Sequence, residues 1–101
     1  MCKSYYSAYT HSNMGIRLAE EGETYLAIKY FLDSVKLNPY HVPGYIGLGN
    51  ELLSIGKVDD ALKNFENALK IDPGNVIAKN DLKKALDIKM RSAEPKKEIR
   101  P

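Results

Sequence analysis

The stretch ENALKIDPGN, residues 66–75, ends a run of helix-forming residues with Asp-Pro-Gly-Asn. Residues 32–41, which lie 34 positions earlier, read LDSVKLNPYH and place Asn38-Pro39 where Asp72-Pro73 stand. Proline ends a helix because its nitrogen carries no hydrogen and its ring clashes with the preceding turn. The same stop signal therefore occurs twice at one spacing, which predicts an internal repeat.

Residues 8–41 resemble residues 42–75 along their whole length. Eight of the 34 aligned pairs are identical: Gly15/Gly49, Leu18/Leu52, Gly22/Gly56, Ala27/Ala61, Lys29/Lys63, Phe31/Phe65, Lys36/Lys70 and Pro39/Pro73. A repeat of fixed period predicts a stacked architecture, because each unit buries its apolar face against the next one.

The apolar residues within each unit have helical spacing. Ala27, Phe31 and Val35 recur at every fourth position, which is typical of one face of an amphipathic helix. Gly22 and Gly56 each follow the first apolar run and suit the left-handed residue just past a helix end. We therefore predict two helices per unit, at 7–21, 24–37, 42–55, 58–71 and 76–90, with Asn75 capping the last helix.

The spacing of particular residues carries a family resemblance. The second unit has Tyr45-x2-Leu48-Gly49-x2-Leu52, Ala61-x3-Phe65 and Pro73, and the first has His11-x2-Met14-Gly15-x2-Leu18, Ala27-x3-Phe31 and Pro39. This pattern resembles the tetratricopeptide repeat. The resemblance implies an all-α, right-handed solenoid of antiparallel helix pairs with about five helices. It would form a domain at 1–91, with repeats at 8–41 and 42–75 and a capping helix at 76–90. A closed bundle of the same helices, without a concave groove, is the alternative.

The last helix has the pattern of a cap. We expect Ala78, Leu82, Ala85 and Leu86 to form its inner stripe, and Lys79, Lys83 and Asp87 to face water, as the terminal unit of a solenoid requires. Residues 92–101 contain almost no apolar side chains, and we expect them to form a disordered basic tail.

Composition and charge exclude several classes of protein. The chain has 44% hydrophobic and 28% charged residues, and its single cysteine, Cys2, cannot form an internal disulfide. Its net charge of +2 is small, so we expect no nucleic-acid partner, because phosphate binding requires a basic surface. It contains neither an apolar run that could span a membrane nor a secretory signal at its start, and we expect no membrane partner and a cytoplasmic location.

Candidate catalytic or metal-binding residues are few. His11 and His41 are expected to be ordinary surface histidines, and the adjacent Asp59 and Asp60 fit a first helical turn, where they favour the helix dipole. No nucleophile and base are placed to meet, and no ligands have metal spacing. We therefore expect a protein that is not an enzyme and that binds no cofactor or metal.

The resemblance implies a binding surface on the first helix of each repeat, which in this family lines a concave face that holds a partner peptide. The matching positions here are Tyr9, Ser12, Ile16 and Glu20, then Pro43, Ile46, Asn50 and Leu53, then Ile77, Asn80, Lys84 and Ile88. A purely solvated face would carry charges at Ile16, Ile46 and Leu53, although scattered apolar residues are normal on any surface. We predict a protein or peptide partner and a peptide-binding site made of Tyr9, Ser12, Ile16, Ile46, Asn50, Leu53, Asn80 and Lys84.

Some members of the family clamp a C-terminal carboxylate with lysine, asparagine and arginine from three repeats. This chain keeps Asn50 of that set, but Ser12 and Ile16 stand where lysine and asparagine would be. Asp81 stands where a cation would be. We therefore do not expect a clamp for chaperone tails.

Tyr5, Tyr6 and Tyr9 form an aromatic cluster near the start of the chain. Tyr5 and Tyr9 lie one helical turn apart, so one helix face could present both rings. They either cover the open first edge of the stack or form an interface. The alternative function is thus a self-associating structural module that oligomerises through this edge; we expect a monomer, with a homo-oligomer as the alternative.

Overall fold

Five helices and their connecting turns make up the part of the chain that the computed structural model describes, residues 2–93, with side chains at 7–92. The helices are α1 (Cys2–Glu20), α2 (Thr24–Leu37), α3 (Val42–Ser54), α4 (Val58–Ile71) and α5 (Val76–Ala93). The predicted helices are confirmed, but α1 begins five residues earlier than expected. No glycine or proline interrupts residues 2–6, so nothing in the sequence stops the helix there.

The turns inside the two units are built on glycine. Gly22 and Gly56 have φ angles of 83° and 85°, a left-handed conformation that costs other residues about 1 to 2 kcal/mol. The N–H of Glu23 then donates to the carbonyl of Leu18 at 2.9 Å, which satisfies one of the free carbonyls at the end of α1. The predicted role of these glycines is confirmed.

The helices stack as an open array. Each helix packs against the next one in the chain, and in addition α1 contacts α3 and α3 contacts α5. Within residues 2–93, α2 does not contact α4, and α1 does not contact α5. The first helices of the units are therefore closer together than the second helices, so they line the inner side of the curve. The all-α solenoid is confirmed and the closed bundle is wrong.

The two units have equivalent cores. Phe31 of the first unit is buried against Ala27 and against Leu48 of the second unit. Phe65 of the second unit is buried against Ala61 and Leu62 and against Ala85 of the capping helix. A Cβ atom on Gly15 would lie 2.8 Å from Cε1 of Phe31, and one on Gly49 would lie 2.5 Å from Cε1 of Phe65. The glycines thus let each first helix pack directly on a phenylalanine ring, as predicted from the repeat.

The capping helix α5 follows the prediction except at one position. Ala78 and Ala85 are fully buried, and Leu82 packs against the Phe65 core, but Leu86 is 43% exposed. Leu86 follows Ala85 by about 100° around the helix, which turns it away from α4. The water-facing positions Lys79, Lys83 and Asp87 are exposed, as expected.

The start of α5 is capped as predicted. The Oδ1 atom of Asn75 accepts a hydrogen bond from the N–H of Ala78 at 2.9 Å. The predicted tail at 92–101 lies outside the described residues from position 94 onward, whereas Ser92 and Ala93 still belong to α5. Among the helices of residues 2–93, none is long and apolar enough to cross a lipid bilayer.

Candidate peptide-binding groove

A groove with a volume of about 540 Å³ crosses the inner side of the stack. This volume is within the range of roughly 300 to 1,000 Å³ that ligand pockets occupy. Residues from α1, α3 and α5 and from the turn before α5 line it: Ile16, Val42, Pro43, Ile46, Gly47, Asn50, Asp72, Asn75 and Ile77. The helices α1, α3 and α5 therefore share one recess.

The floor of the groove is one face of α3. Val42, Ile46 and Asn50 follow one another at intervals of four residues, so they lie along a single stripe of the helix. Gly47 lies beside this stripe, and a Cβ atom there would collide with the buried ring of Phe31. A glycine at this position therefore keeps the floor close to the core.

Two exposed isoleucines stand on either side of the floor. Ile16 on α1 is 45% exposed and Ile77 on α5 is 61% exposed. Burial of apolar surface contributes about 25 cal/mol per Å², and each side chain obtains only part of this energy within the described chain. The groove thus offers apolar surface on both sides of a floor that is itself apolar.

Asn50 supplies a polar side chain at the C-terminal end of the α3 stripe. Its Nδ2 atom donates to Oδ2 of Asp81 at 3.0 Å, which links α3 to α5. An amide has two N–H donors and an acceptor oxygen, so this bond does not exhaust the capacity of Asn50. The contact orients the amide at the floor and places a half-buried carboxylate beside it.

A second polar pair lies in the turn before α5. Nδ2 of Asn75 donates to Oδ2 of Asp72 at 3.2 Å, while Oδ1 of Asn75 caps α5. Asp72 is exposed and is the charged residue in the groove lining. The turn that ends the second repeat therefore forms part of the site as well as connecting two helices.

The groove continues onto α1 as a second depression of about 440 Å³. Ile16 belongs to both recesses. The other lining residues of the second depression are Thr10, Asn13, Met14, Arg17 and Glu20. A bound segment that leaves the first recess beside Ile16 therefore meets a more polar surface with one charge of each sign.

Of the eight predicted site residues, Ile16, Ile46 and Asn50 line the groove. Asn80 and Lys84 are exposed on α5 but do not contribute to the lining. Leu53, which was also predicted to belong to the site, packs against the Phe65 core instead.

Ser12 and Tyr9 contact His41, which lies in the turn before α3. The hydroxyl of Ser12 is buried and donates to the carbonyl of Tyr9 at 3.0 Å, so it accepts a hydrogen bond from Nε2–H of His41 at 2.8 Å. The ring of Tyr9, which is 53% exposed, stands edge-on to His41 at 6.5 Å. Ser12 is therefore not available to a ligand. The side chains of Tyr5 and Tyr6 lie outside the described residues.

The prediction that His41 lies on the surface is wrong. Only 5% of it is exposed, because the turn after Pro39 folds it between α1 and α3. This burial lowers the pKa of His41, since desolvation disfavours the charged imidazolium. Burial also raises the pKa of Glu51 on α3, and a hydrogen bond from Thr24 partly opposes that shift.

The sequence analysis missed Val42, Gly47, Asp72 and Asn75 as groove residues. Asp72 and Asn75 belong to the stop signal, whose residue types are explained by helix termination alone. Val42 and Gly47 lie on α3 beside predicted positions, so the helical spacing around Ile46 could have indicated them. Within the described chain, no three His, Cys, Asp or Glu residues are grouped closely enough to hold a metal ion.

Comparison with known proteins identifies a repeat motif and a fold. The sequence profile of the tetratricopeptide repeat matches residues 42–75. Heat shock protein STI1 of Saccharomyces cerevisiae is 37% identical over 57% of this chain, but the match spans only 11% of that protein.

Solved structures resemble most of this chain. The first tetratricopeptide-repeat domain of human RPAP3 has a TM-score of 0.78 and 26% identity, covering 86% of this chain and 71% of that one. The first such domain of Spaghetti (RPAP3), solved with the HSP90 peptide SRMEEVD, has a TM-score of 0.79 and 23% identity, covering 82% and 68%. The second of these likenesses shows the fold alone.

Proposed function

Because residues 42–75 are a tetratricopeptide repeat in a chain with the fold of a tetratricopeptide-repeat domain, we propose that this chain is a protein-interaction module. Its groove binds an extended segment of a partner protein. We assign it binding rather than catalysis, and a cytoplasmic location.

The main support for this function is the recess of about 540 Å³ that α1, α3 and α5 share. Its apolar side chains lie at the floor and at both sides, where an extended chain could place its own apolar groups. Asn50 lies at the end of the α3 stripe and can pair with a peptide group of that chain. The Spaghetti domain, which shares this fold, was solved with a peptide bound.

The proposed contact surface is narrower than the one expected from the sequence. It consists of five lining residues: Ile16, Pro43, Ile46, Asn50 and Ile77. Ser12 and Leu53 are engaged within the fold, and Asn80 and Lys84 lie beyond the lining, so none of these four is required.

The experiment is a selection from a random peptide display library on the folded chain, followed by titration of the best peptide by fluorescence polarisation. Ile16→Ser should weaken binding about fivefold. An isoleucine that is fully buried contributes about 1.5 to 3 kcal/mol, and roughly half of this side chain remains for the ligand to cover.

Leu26→Ser is the matched control, because Leu26 is also aliphatic and 45% exposed but lies on α2, away from the groove. It should leave binding unchanged. Asn50→Ala should weaken binding by about 1 to 3 kcal/mol, since it would leave a buried polar partner unpaired. If Ile16→Ser and Asn50→Ala bind like the parent, the groove is not the site.

A further inference from the structure

The charged groups at the groove are carboxylates. Asp72 is the charged residue of the lining, and Asp81 lies against Asn50 at the floor. Asp81 and Lys84 both lie on α5 outside the lining, but Asp81 is hydrogen-bonded to the lining residue Asn50. No hydrogen bond or ion pair among the described residues joins the exposed Lys84 to the lining. The nearest basic residue in the adjoining depression, Arg17, shares that depression with Glu20.

Neither groove aspartate takes part in an ion pair with a described residue. The ion pairs within residues 2–93 join Lys29 to Asp33 and Lys89 to Asp59, and both lie elsewhere. Asp72 and Asp81 each accept a hydrogen bond from a neutral amide instead. An ionised carboxylate has about four lone-pair positions, so each can accept further hydrogen bonds from a cation.

The two amides hold these carboxylates in place. Asn50 ties Asp81 into the crevice between α3 and α5, and Asn75 ties Asp72 to the turn that begins α5. A carboxylate that is already oriented loses less freedom when it binds a guanidinium or ammonium group. Hydrogen bonds between two charged groups are also about twice as strong as those between neutral groups.

The positive ends of two helices at the groove weaken its attraction for a cation only slightly. α3 and α5 both begin at the recess, and a helix N-terminus has the effect of about half a positive charge. Asn75 already accepts a hydrogen bond from one of the free N–H groups of α5. Two full negative charges therefore outweigh the helix ends, and the apolar groove carries one carboxylate in its lining, at Asp72, and a second beside it, at Asp81.

We infer that the groove selects partner segments in which an apolar side chain lies beside a lysine or arginine, and that Asp81 and Asp72 determine this preference. The apolar side chain occupies the recess between Ile16 and Ile77, and the cation pairs with the carboxylates. A segment ending in acidic residues meets like charge at the same place. This inference rests on the proposed function and adds the chemistry of the partner.

The test uses peptides selected by display on the whole chain. We expect them to be enriched in Lys or Arg next to Leu, Ile, Met or Phe. Replacing the cationic residue of the best peptide by neutral citrulline or norleucine should weaken its binding about tenfold at low salt. The difference should shrink between about 0.01 M and about 1 M salt, where the Debye length falls from about 30 Å to about 3 Å.

A double-mutant cycle identifies the partner of that cation. Asp81→Asn has the same shape and can still accept the bond from Asn50, so the fold is preserved. It should weaken the cationic peptide about fivefold to tenfold and leave the neutral peptide unchanged. Asp87→Asn, an exposed position on the same helix, is the control and should affect neither peptide.

The outcomes separate this inference from the proposed function. If the selected peptides are weakened by Ile16→Ser but are neutral or acidic, or do not respond to Asp81→Asn and Asp72→Asn, the basic preference is wrong and the groove remains the binding site. If no sequence is enriched, or binding is insensitive to both Ile16→Ser and Asn50→Ala, both ideas are overturned.

Discussion

Replacing Gly49 by alanine should destabilise the fold through one steric contact. The new Cβ atom would lie 2.5 Å from Cε1 of Phe65, and 2.8 and 2.9 Å from Cζ and Cδ1. Favourable contacts between carbon atoms are about 3.5 to 4.0 Å long, so the shortest of these is about 1 Å too short. The ring of Phe65 is fully buried and cannot swing into solvent, which means that α3 must move away from α4.

The size of the effect follows from two opposing contributions. Overpacking of a close-packed core costs about 1 to 3 kcal/mol, and three ring carbons in contact favour the upper part of that range. Alanine in place of glycine stabilises a helix interior by about 1 kcal/mol. We therefore expect a net loss of about 1 to 2 kcal/mol in the free energy of unfolding. In a domain of this size that lowers Tm by roughly 5 to 15 °C.

The same repeat contains two matched controls. Gly56 has a φ of 85° and nothing within 4 Å of the added atom, so Gly56→Ala should cost about 1 kcal/mol through backbone strain alone. Gly74 has open space and no positive φ, so Gly74→Ala should be neutral or stabilise by up to about 1 kcal/mol. Urea titrations followed by circular dichroism at the helix band measure all three. If Gly49→Ala unfolds at the same urea concentration as Gly74→Ala, the packing of α3 on Phe65 is refuted.

The remaining predictions concern pH, surface charge and association. The folded-state pKa of His41 lies below its ordinary value of about 6.5, so its contribution to stability is complete above that pH and is lost as the pH falls toward the folded-state pKa. The melting temperature should fall over that range in the parent and less in His41→Gln; equal pH dependence of the two proteins would contradict this. The pKa of Glu51 is raised, so its contribution to stability changes with pH in the opposite direction. The comparison with His41→Gln isolates the contribution of His41. Lys89→Ala removes an ion pair of 2.7 Å between two exposed side chains, and urea titration should show a loss below about 1 kcal/mol. In sedimentation at high concentration the chain should run as a monomer of 11.3 kDa, and a concentration-dependent larger species would favour the self-associating alternative.

Much of the fold could be predicted from local patterns. The distance between the two proline stops indicated the repeat, and the four-residue spacing of Ala27 and Phe31 indicated a helix with one buried face. Gly22 and Gly56 marked the turns because few other residues adopt a positive φ. These signals are readable because helix geometry relates residues that are three or four positions apart, and turn chemistry depends on the residue itself.

The candidate site could be predicted only in part. Ile16, Ile46 and Asn50 were found because equivalent positions on successive first helices fall on one side of a stack. Leu53 occupies the same kind of position in the sequence but packs against the core. Whether such a residue faces the groove or the contact between neighbouring helices depends on a rotation of a few tens of degrees between those helices. The period of the repeat does not specify this rotation.

By itself, then, the sequence determined the number of helices, their order, their turns and most of the residues that pack between them. Only the tertiary structure decided that His41 is buried against Ser12 and that Asn50 is tied to Asp81. These pairs are 29 and 31 positions apart; the first joins α1 to the residue before α3, and the second joins α3 to α5. The physical reason is that local geometry selects each helix, whereas contacts between helices depend on how far and at what angle the helices approach. That approach is set by the packing of all the side chains in the seam together.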